Sequence, residues 1–314
     1  MAAGWQDTVA SAQKEGKVSL YTSLLPVQVE RLSAAFAKAF PGIELRVTRN
    51  TENILTQKIM QEQDVAAEGA DVLIVTNTDF IDQQIANGKV EKPIGEHVAP
   101  FAGTKFLYKD FAPVVASYYV VVAYNADVVK VPPAQFADLV DAARSDEIGL
   151  TAVESGSGAA LFYDVLRQDL PGYWEKLAKK KIKIFPGAVP LSQAVASGEV
   201  GIAIYGVPPA LSPLIKKGAP IKLVSPTDAR AVGGSFAAQV LKNAKNQAAA
   251  QVLVDWMVSP DGQQALNGDG LGMPNSPSVT GGLPPKDFVL LDTKIYTSEK
   301  VKAINAEWRG MMGQ

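Results

Sequence analysis

The chain has 314 residues, 47% hydrophobic and 20% charged, with a formal net charge of -2. That length holds one large domain or two smaller ones, the composition is globular, and the near-neutral balance gives no footing for nucleic-acid binding. There is no cysteine and one histidine, His97; disulfides, thiolate metal sites and cysteine nucleophiles are excluded, and Ser–His catalysis or a histidine-rich metal site would rest on His97 alone.

In chain order, a short helix over 8–15 ends at Gly16, and Lys17 to Thr22 (KVSLYT) forms a first strand. Pro26 opens a helix with Val29, Leu32, Phe36 and Phe40 on one face. Residues 43–48 alternate as a strand, residues 53–63 are helical, and Asp71 to Val75 (DVLIV) is a buried strand. Thr76-Asn77-Thr78-Asp79 caps the helix over 80–86. This strand–helix alternation predicts an α/β domain with a largely parallel sheet. An irregular stretch over 88–114 leads into one long β-rich run, Val115 to Tyr124, and Phe136 to Ala143 is expected to be helical. A second α/β series follows. Its strands lie at 147–150, 182–185, 200–205 and 219–224, and its helices at 173–179 and 191–197. Phe236 to Leu241 is β-rich, Lys245 to Met257 is a strong helix, and Ser259-Pro260 caps another. The extended runs near Val115–Val121 and Ala231–Ala237 join the two series, an arrangement that suits a hinge and a small-molecule cleft.

Between the strand ending at Leu150 and a helix carrying Phe162, Val165 and Leu166 lies Glu154-Ser155-Gly156-Ser157-Gly158. A Ser/Gly-rich turn that opens a helix leaves backbone N–H groups without partners, and the helix dipole adds attraction for an anion. A plain N-cap is the structural alternative.

Six segments occur in a characteristic order: EGKVSLYTSL, ADVLIV, VVVAYN, ESGSGAALF, SQAVASGEVGIAIYG and AQVLVDWMVSPDGQQAL. In that order and spacing, over roughly Trp5 to Pro277, the chain resembles the extracellular solute-binding proteins of ABC importers, nearest the ferric-iron-binding-protein-like type II branch. The resemblance implies two lobes, each a mixed sheet flanked by helices, linked by crossover strands around a ligand cleft. The lobes are expected at 1–116 plus 236–285 and at 117–235 plus 286–314. It further implies no catalysis, no cofactor, a membrane permease as partner, a monomer, and a periplasmic location. Met1 before Ala2 and Ala3 then reads as a start added where an export leader was removed.

The ferric branch holds iron with a histidine after the first strand, a glutamate after the ADV strand and two adjacent tyrosines. Those positions fall near Leu25, Thr76, and Pro208 and Pro209, with Tyr205 close to the last pair. A hard cation wants anionic oxygen, which leucine, threonine and proline do not offer. Iron is therefore not expected, although Glu52 and Tyr205 keep an atypical iron site as an alternative.

The expected ligand-binding residues are Thr22, Ser23, Thr76, Asn77, Tyr118, Tyr119, Ser155, Gly156, Ser157, Gly158, Ala159, Tyr205 and Gly206. On a regular strand Tyr118 and Tyr119 face opposite ways, so at most one meets the ligand. The neutral, donor-rich set points to a small organic anion, a carboxylate or a phosphate or phosphonate, with Arg49 or Arg230 as the compensating charge. A hydrolase or transferase using Ser155 or Ser157 is a rival, but Gly-x-Ser-x-Gly is absent and no histidine partner is at hand. A cytosolic ligand sensor is a third, without a visible helix-turn-helix or basic tail.

Overall fold

The computed structural model describes residues 3–64, 69–141, 143–155, 157–292 and 294–313. The chain divides into two compact units, Met1–Ser117 with Ser235–Pro284 and Tyr118–Gly234 with Pro285–Gln314.

The first unit opens with α1 (Ala3–Glu15), β1 (Lys17–Thr22), α2 (Pro26–Ala39), β2 (Glu44–Arg49), α3 (Glu52–Asp64), β3 (Val72–Val75) and α4 (Thr78–Ala86). Short strands β4 (Val90–Glu91) and β5 (Leu107–Tyr108) precede β6 (Ala112–Tyr119). Strands β1, β2 and β3 pair in parallel, as right-handed βαβ crossovers require, and β3 then pairs antiparallel with a strand that arrives much later, residues 233–241. Val72–Val75 is buried throughout because helices cover both faces of such a sheet. On α2 the apolar spacing puts Leu32 and Phe36 inside, and Phe36 meets the ring of Trp256 edge-on at 5.4 Å.

The second unit contains β7 (Val121–Asn125), β8 (Ile148–Thr151), α5 (Ser157–Asp169), α6 (Tyr173–Leu177), β9 (Ile182–Phe185), α7 (Ala188–Ser197), β10 (Ile202–Gly206), α8 (Pro208–Lys216) and β11 (Ile221–Val224). Its five strands run in the order β11-β7-β10-β8-β9. The β7 pairings are antiparallel and β10-β8-β9 is parallel, so this sheet is mixed as well. Val122, Ile148, Leu150, Phe162, Trp174, Ile202 and Ile204 form its core. The chain then re-enters the first unit through β12 (Gly233–Leu241), α9 (Gln247–Met257) and α10 (Pro260–Asn267), and ends in the second with α11 (Ser298–Met312). The first sheet runs β2-β1-β3-β12-β6-β5, with β4 on β12.

Two local expectations need correction, and one helix is additional to them. The β-rich run 115–124 is two strands, broken at Val120, whose N–H turns to the carbonyl of Val232 at 2.7 Å. The helix expected over 136–143 is only a 3-10 turn, Ala137–Val140. The carboxylates of Asp138 and Asp228 accept the N–H groups of Ala134, Gln135, Phe136 and Ala137, holding the segment as a loop. Helix α11 was not foreseen, though Val301, Ile304 and Trp308 show helical spacing and Thr297 caps it by accepting from Lys300 N–H.

One core position breaks the apolar pattern. Gln239 on β12 is fully buried, and neither end of its amide has a hydrogen-bond partner among the described residues. An unsatisfied buried amide costs about 1–3 kcal/mol. Gln239→Leu is expected to raise stability by about 1–2 kcal/mol in chemical denaturation. A loss of more than about 1 kcal/mol would show that the amide is partnered in solution.

Candidate functional site

In the first unit, the carboxyl ends of β1 and β3 carry Thr22, Ser23, Thr76 and Asn77. Thr22 is fully buried and its hydroxyl accepts the N–H of Leu24 at 3.1 Å, so it shapes the turn and cannot reach a ligand. Asn77 accepts from Phe80 N–H at 3.0 Å as the N-cap of α4. Ser23 donates its hydroxyl to Glu52 Oε1 at 3.3 Å, and the N–H of Thr76 donates to the same oxygen. The Ser23 hydroxyl and the Thr76 N–H, both expected to serve a ligand, are thus directed at the Glu52 carboxylate. Arg49 donates from Nε to the carbonyl of Leu24 at 2.7 Å.

In the second unit, β8 ends at Thr151 and a 3-10 turn, Val153–Ser155, leads to α5. Gly156 lies outside the described residues, and of Ser157 only the backbone is described. Ser155 is exposed, but its N–H already donates to the carbonyl of Ala152 at 3.0 Å. The first-turn N–H groups of α5, including those of Gly158 and Ala159, have no intrahelical acceptor.

Tyr205, at the end of β10, comes to this helix end. A β-carbon on Gly158 would lie 3.3 Å from Tyr205 Oη, so the glycine leaves the space that the phenol uses. The ring of Tyr205 meets Phe162 edge-on at 5.1 Å. Burial, with a smaller contribution from Tyr118, pushes the Tyr205 phenol far above its ordinary range. It therefore stays protonated at any physiological pH and can donate. Tyr118 lies against Gly234, where a β-carbon would come within 3.1 Å of its ring. Two glycines thus seat two tyrosines within one unit.

Two other expected residues are structural. Tyr119 is 1% exposed, with the Lys286 ammonium 5.5 Å from its ring centre. Gly206 is buried where a β-carbon would stand 2.7 Å from the carbonyl of Val121, so it permits close strand approach and offers no ligand surface.

Arg230 does not supply the compensating charge at this turn. It grips Asp169, with Nη2 2.8 Å from Oδ1 and Nε 3.0 Å from both oxygens. Asp169 closes α5, twelve residues and about 18 Å along the axis from Ser157. The cation nearest the turn in these interactions is one that sequence reasoning missed: Arg309 on α11 donates to Glu154 Oε1 at 2.7 Å. Its signal in sequence was faint, a lone arginine near the end of a helix that was itself unrecognised.

Behind the turn is a cavity of about 10 Å³ lined by Thr151, Val153, Ala159, Tyr205 and Trp308 among others. The Thr151 hydroxyl is buried there without a hydrogen-bond partner among the described residues. Helix α5 is held further along by Asp164, which accepts from Arg167, Gln168 and Tyr296. Desolvation pushes the Asp164 carboxyl up, but the Arg167 and Tyr296 hydrogen bonds and the Lys300 charge outweigh it, and the net shift is downward.

At Leu25, Pro208 and Pro209 the side chains carry no anionic oxygen; Leu25 precedes α2, and the two prolines open α8. Among the described residues no three His, Asp or Glu side chains gather as a metal ion would need.

Residues 27–272 match the protein family described as "Bacterial extracellular solute-binding protein". No curated protein matches. Among solved structures, the substrate binding protein of an ABC transporter from Agrobacterium tumefaciens is similar at 18% identity, over 96% of this chain and 97% of that one, with a TM-score of 0.73. The periplasmic binding protein AfuA from Actinobacillus pleuropneumoniae, with fructose-6-phosphate bound, is similar at 18% identity over 95% and 99% of the two chains, with a TM-score of 0.64. Iron-bound HitA from Pseudomonas aeruginosa is similar at 19% identity over 93% and 99%, with a TM-score of 0.66. At such identities the likeness is one of fold.

Proposed function

The chain belongs to the bacterial extracellular solute-binding proteins, the type II solute-binding components of ABC transporters, and from that premise we propose that it captures a small organic anion, a carboxylate or a phosphate or phosphonate. The contacts are the N–H groups that open α5, the hydroxyl of Tyr205 and the ring of Tyr118. The observation that carries this reading is Gly158, which lets a protonated phenol sit beside the free amides of a helix start. In the same reading the protein binds without catalysis, as a periplasmic monomer, and hands the solute to a membrane permease. Fructose-6-phosphate on AfuA shows that this fold accommodates an anion; iron on HitA shows that it accommodates a metal too. Leu25, Thr76, Pro208 and Pro209 support the anion over iron here, since none offers a hard anionic ligand.

The test begins with mass spectrometry of solute carried through purification, followed by calorimetry with that solute. Gly158→Pro removes one N–H in the first turn, where a helix tolerates proline, and its added carbons also crowd Tyr205 Oη, so both contacts of the turn are probed at once. Tyr205→Phe removes the phenolic donor. Each is expected to weaken binding roughly ten- to hundredfold, the effect of one hydrogen bond to a charged group. If both variants keep the parent's melting temperature and its affinity, the anion is not bound at this turn.

Glu52 favours a second reading, a solute with a protonated amine bound at the ends of β1 and β3, because its carboxylate already gathers the donors of Ser23 and Thr76. Loss of amine binding, with anion binding intact, in Glu52→Gln would select it.

A further inference from the structure

We infer that Arg309 is a specificity-determining positioning residue: it neutralises Glu154, the one carboxylate in the turn that opens α5, and so keeps that turn receptive to an anion. The inference rests on the anion reading given above. Glu154 precedes Ser155 by one residue and belongs to the same 3-10 turn, Val153–Ser155. Left alone, its charge would stand against the positive end of α5 and repel a bound anion. The Arg309 guanidinium, 2.7 Å away, cancels that charge. Its hydrogen bond, with a smaller contribution from the turn's own backbone, holds the Glu154 carboxyl below its ordinary range, so the charge is present at neutral pH and needs cancelling.

The position of Arg309 is fixed by what lies beside it. Trp308 is 1% exposed and lines the small cavity behind the turn together with Val153 and Ala159. Tyr296 donates to Asp164 at 2.8 Å and anchors the segment leading into α11 onto α5. The last element of the chain therefore packs behind the turn and places one cation on its one anion. The pair itself is open to water, with side chains 53% and 39% exposed. An ion pair so exposed adds little to stability, so its effect should be read in binding and not in melting.

The experiment is a charge-rescue cycle on the full chain. Binding of inorganic phosphate, sulfate and acetate is measured by calorimetry at low, matched ionic strength for the parent, Arg309→Gln, Glu154→Gln and the double variant. Gly158→Pro marks the turn. Expected are a roughly three- to tenfold loss of anion affinity in Arg309→Gln, parent affinity or better in Glu154→Gln, and recovery in the double variant. The differences should shrink as salt is raised. A double variant as weak as Arg309→Gln overturns the inference, since Arg309 would then act by direct contact or by shape. So does an unchanged affinity in Arg309→Gln while Gly158→Pro binds more weakly. If the parent binds none of the three anions, or Gly158→Pro binds as the parent does, the anion reading falls and this inference falls with it.

Discussion

Replacing Asp71 with alanine is expected to lower stability by about 3–5 kcal/mol, the largest loss foreseen for a single side chain in the first unit. Asp71 precedes β3, is 1% exposed, and accepts four hydrogen bonds. Ser19 N–H and Asn246 Nδ2 donate to one carboxylate oxygen at 2.8 and 2.9 Å, and the N–H groups of Lys245 and Asn246 to the other at 2.9 and 3.0 Å. One side chain thus joins β1, β3 and the start of α9, with a partner as far as 175 positions from Asp71. Alanine would leave all four donors without their acceptor, and each buried orphan costs about 1–3 kcal/mol, less than additively. At this unit size each kcal/mol moves the melting temperature by about 2–4 °C. Urea denaturation and calorimetric melting should both register the loss. Asp71→Asn should fall between, because it keeps the shape but turns an amide donor toward N–H donors. A change under about 1 kcal/mol for Asp71→Ala would mean that the carboxylate does not hold these elements together.

Trp308→Ala is expected to cost about 3–5 kcal/mol, in the second unit. The indole is 1% exposed, the largest of the fully buried side chains, and it lines the cavity of about 10 Å³ behind the α5 turn. Removing it adds the volume of an indole to that cavity, with Val153, Ala159 and Phe162 on the other walls. A β8–turn–α5 junction held by backbone hydrogen bonds cannot collapse to fill the space, so the transfer loss and the cavity loss add. Trp308→Phe should cost markedly less, since most of the buried area remains. Because Arg309 is the next residue, Trp308→Ala should also weaken anion binding more than Trp308→Phe does. Equal stability of the alanine and phenylalanine variants would show that α11 does not support the turn.

The fold was legible because its signals are local. Alternation in KVSLYT and IELRVT, the unbroken apolar run in VLIV, the Pro at the start of α2 and the Ser-Pro before α10 each act within a few residues, and the tertiary structure agrees with them. Helix α11 could have been read as well, from Val301, Ile304 and Trp308. The turn before α5 was legible for the same reason: strand end, glycine and serine, helix start are contiguous, and the amides without an intrahelical acceptor follow from helix geometry alone.

What the sequence could not show is where charges and hydroxyls find their partners, because those partners are far away along the chain. Ser23 and Thr76 looked like free donors until α3 brought Glu52 to both of them. Arg230 looked like a free cation, but Asp169, 61 positions away, holds it at the far end of α5. Tyr118 and Tyr119 were equivalent in sequence, and only packing put one of them in the core. Arg309 and Glu154 are 155 positions apart. Their pairing depends on the chain returning to the second unit after completing the first. Periodicity and capping, which act over a few residues, determined the elements and the turn. Tertiary structure alone decided the electrostatics of the site, since a salt bridge or a buried hydrogen bond depends on distance in space and leaves no periodic trace in the sequence.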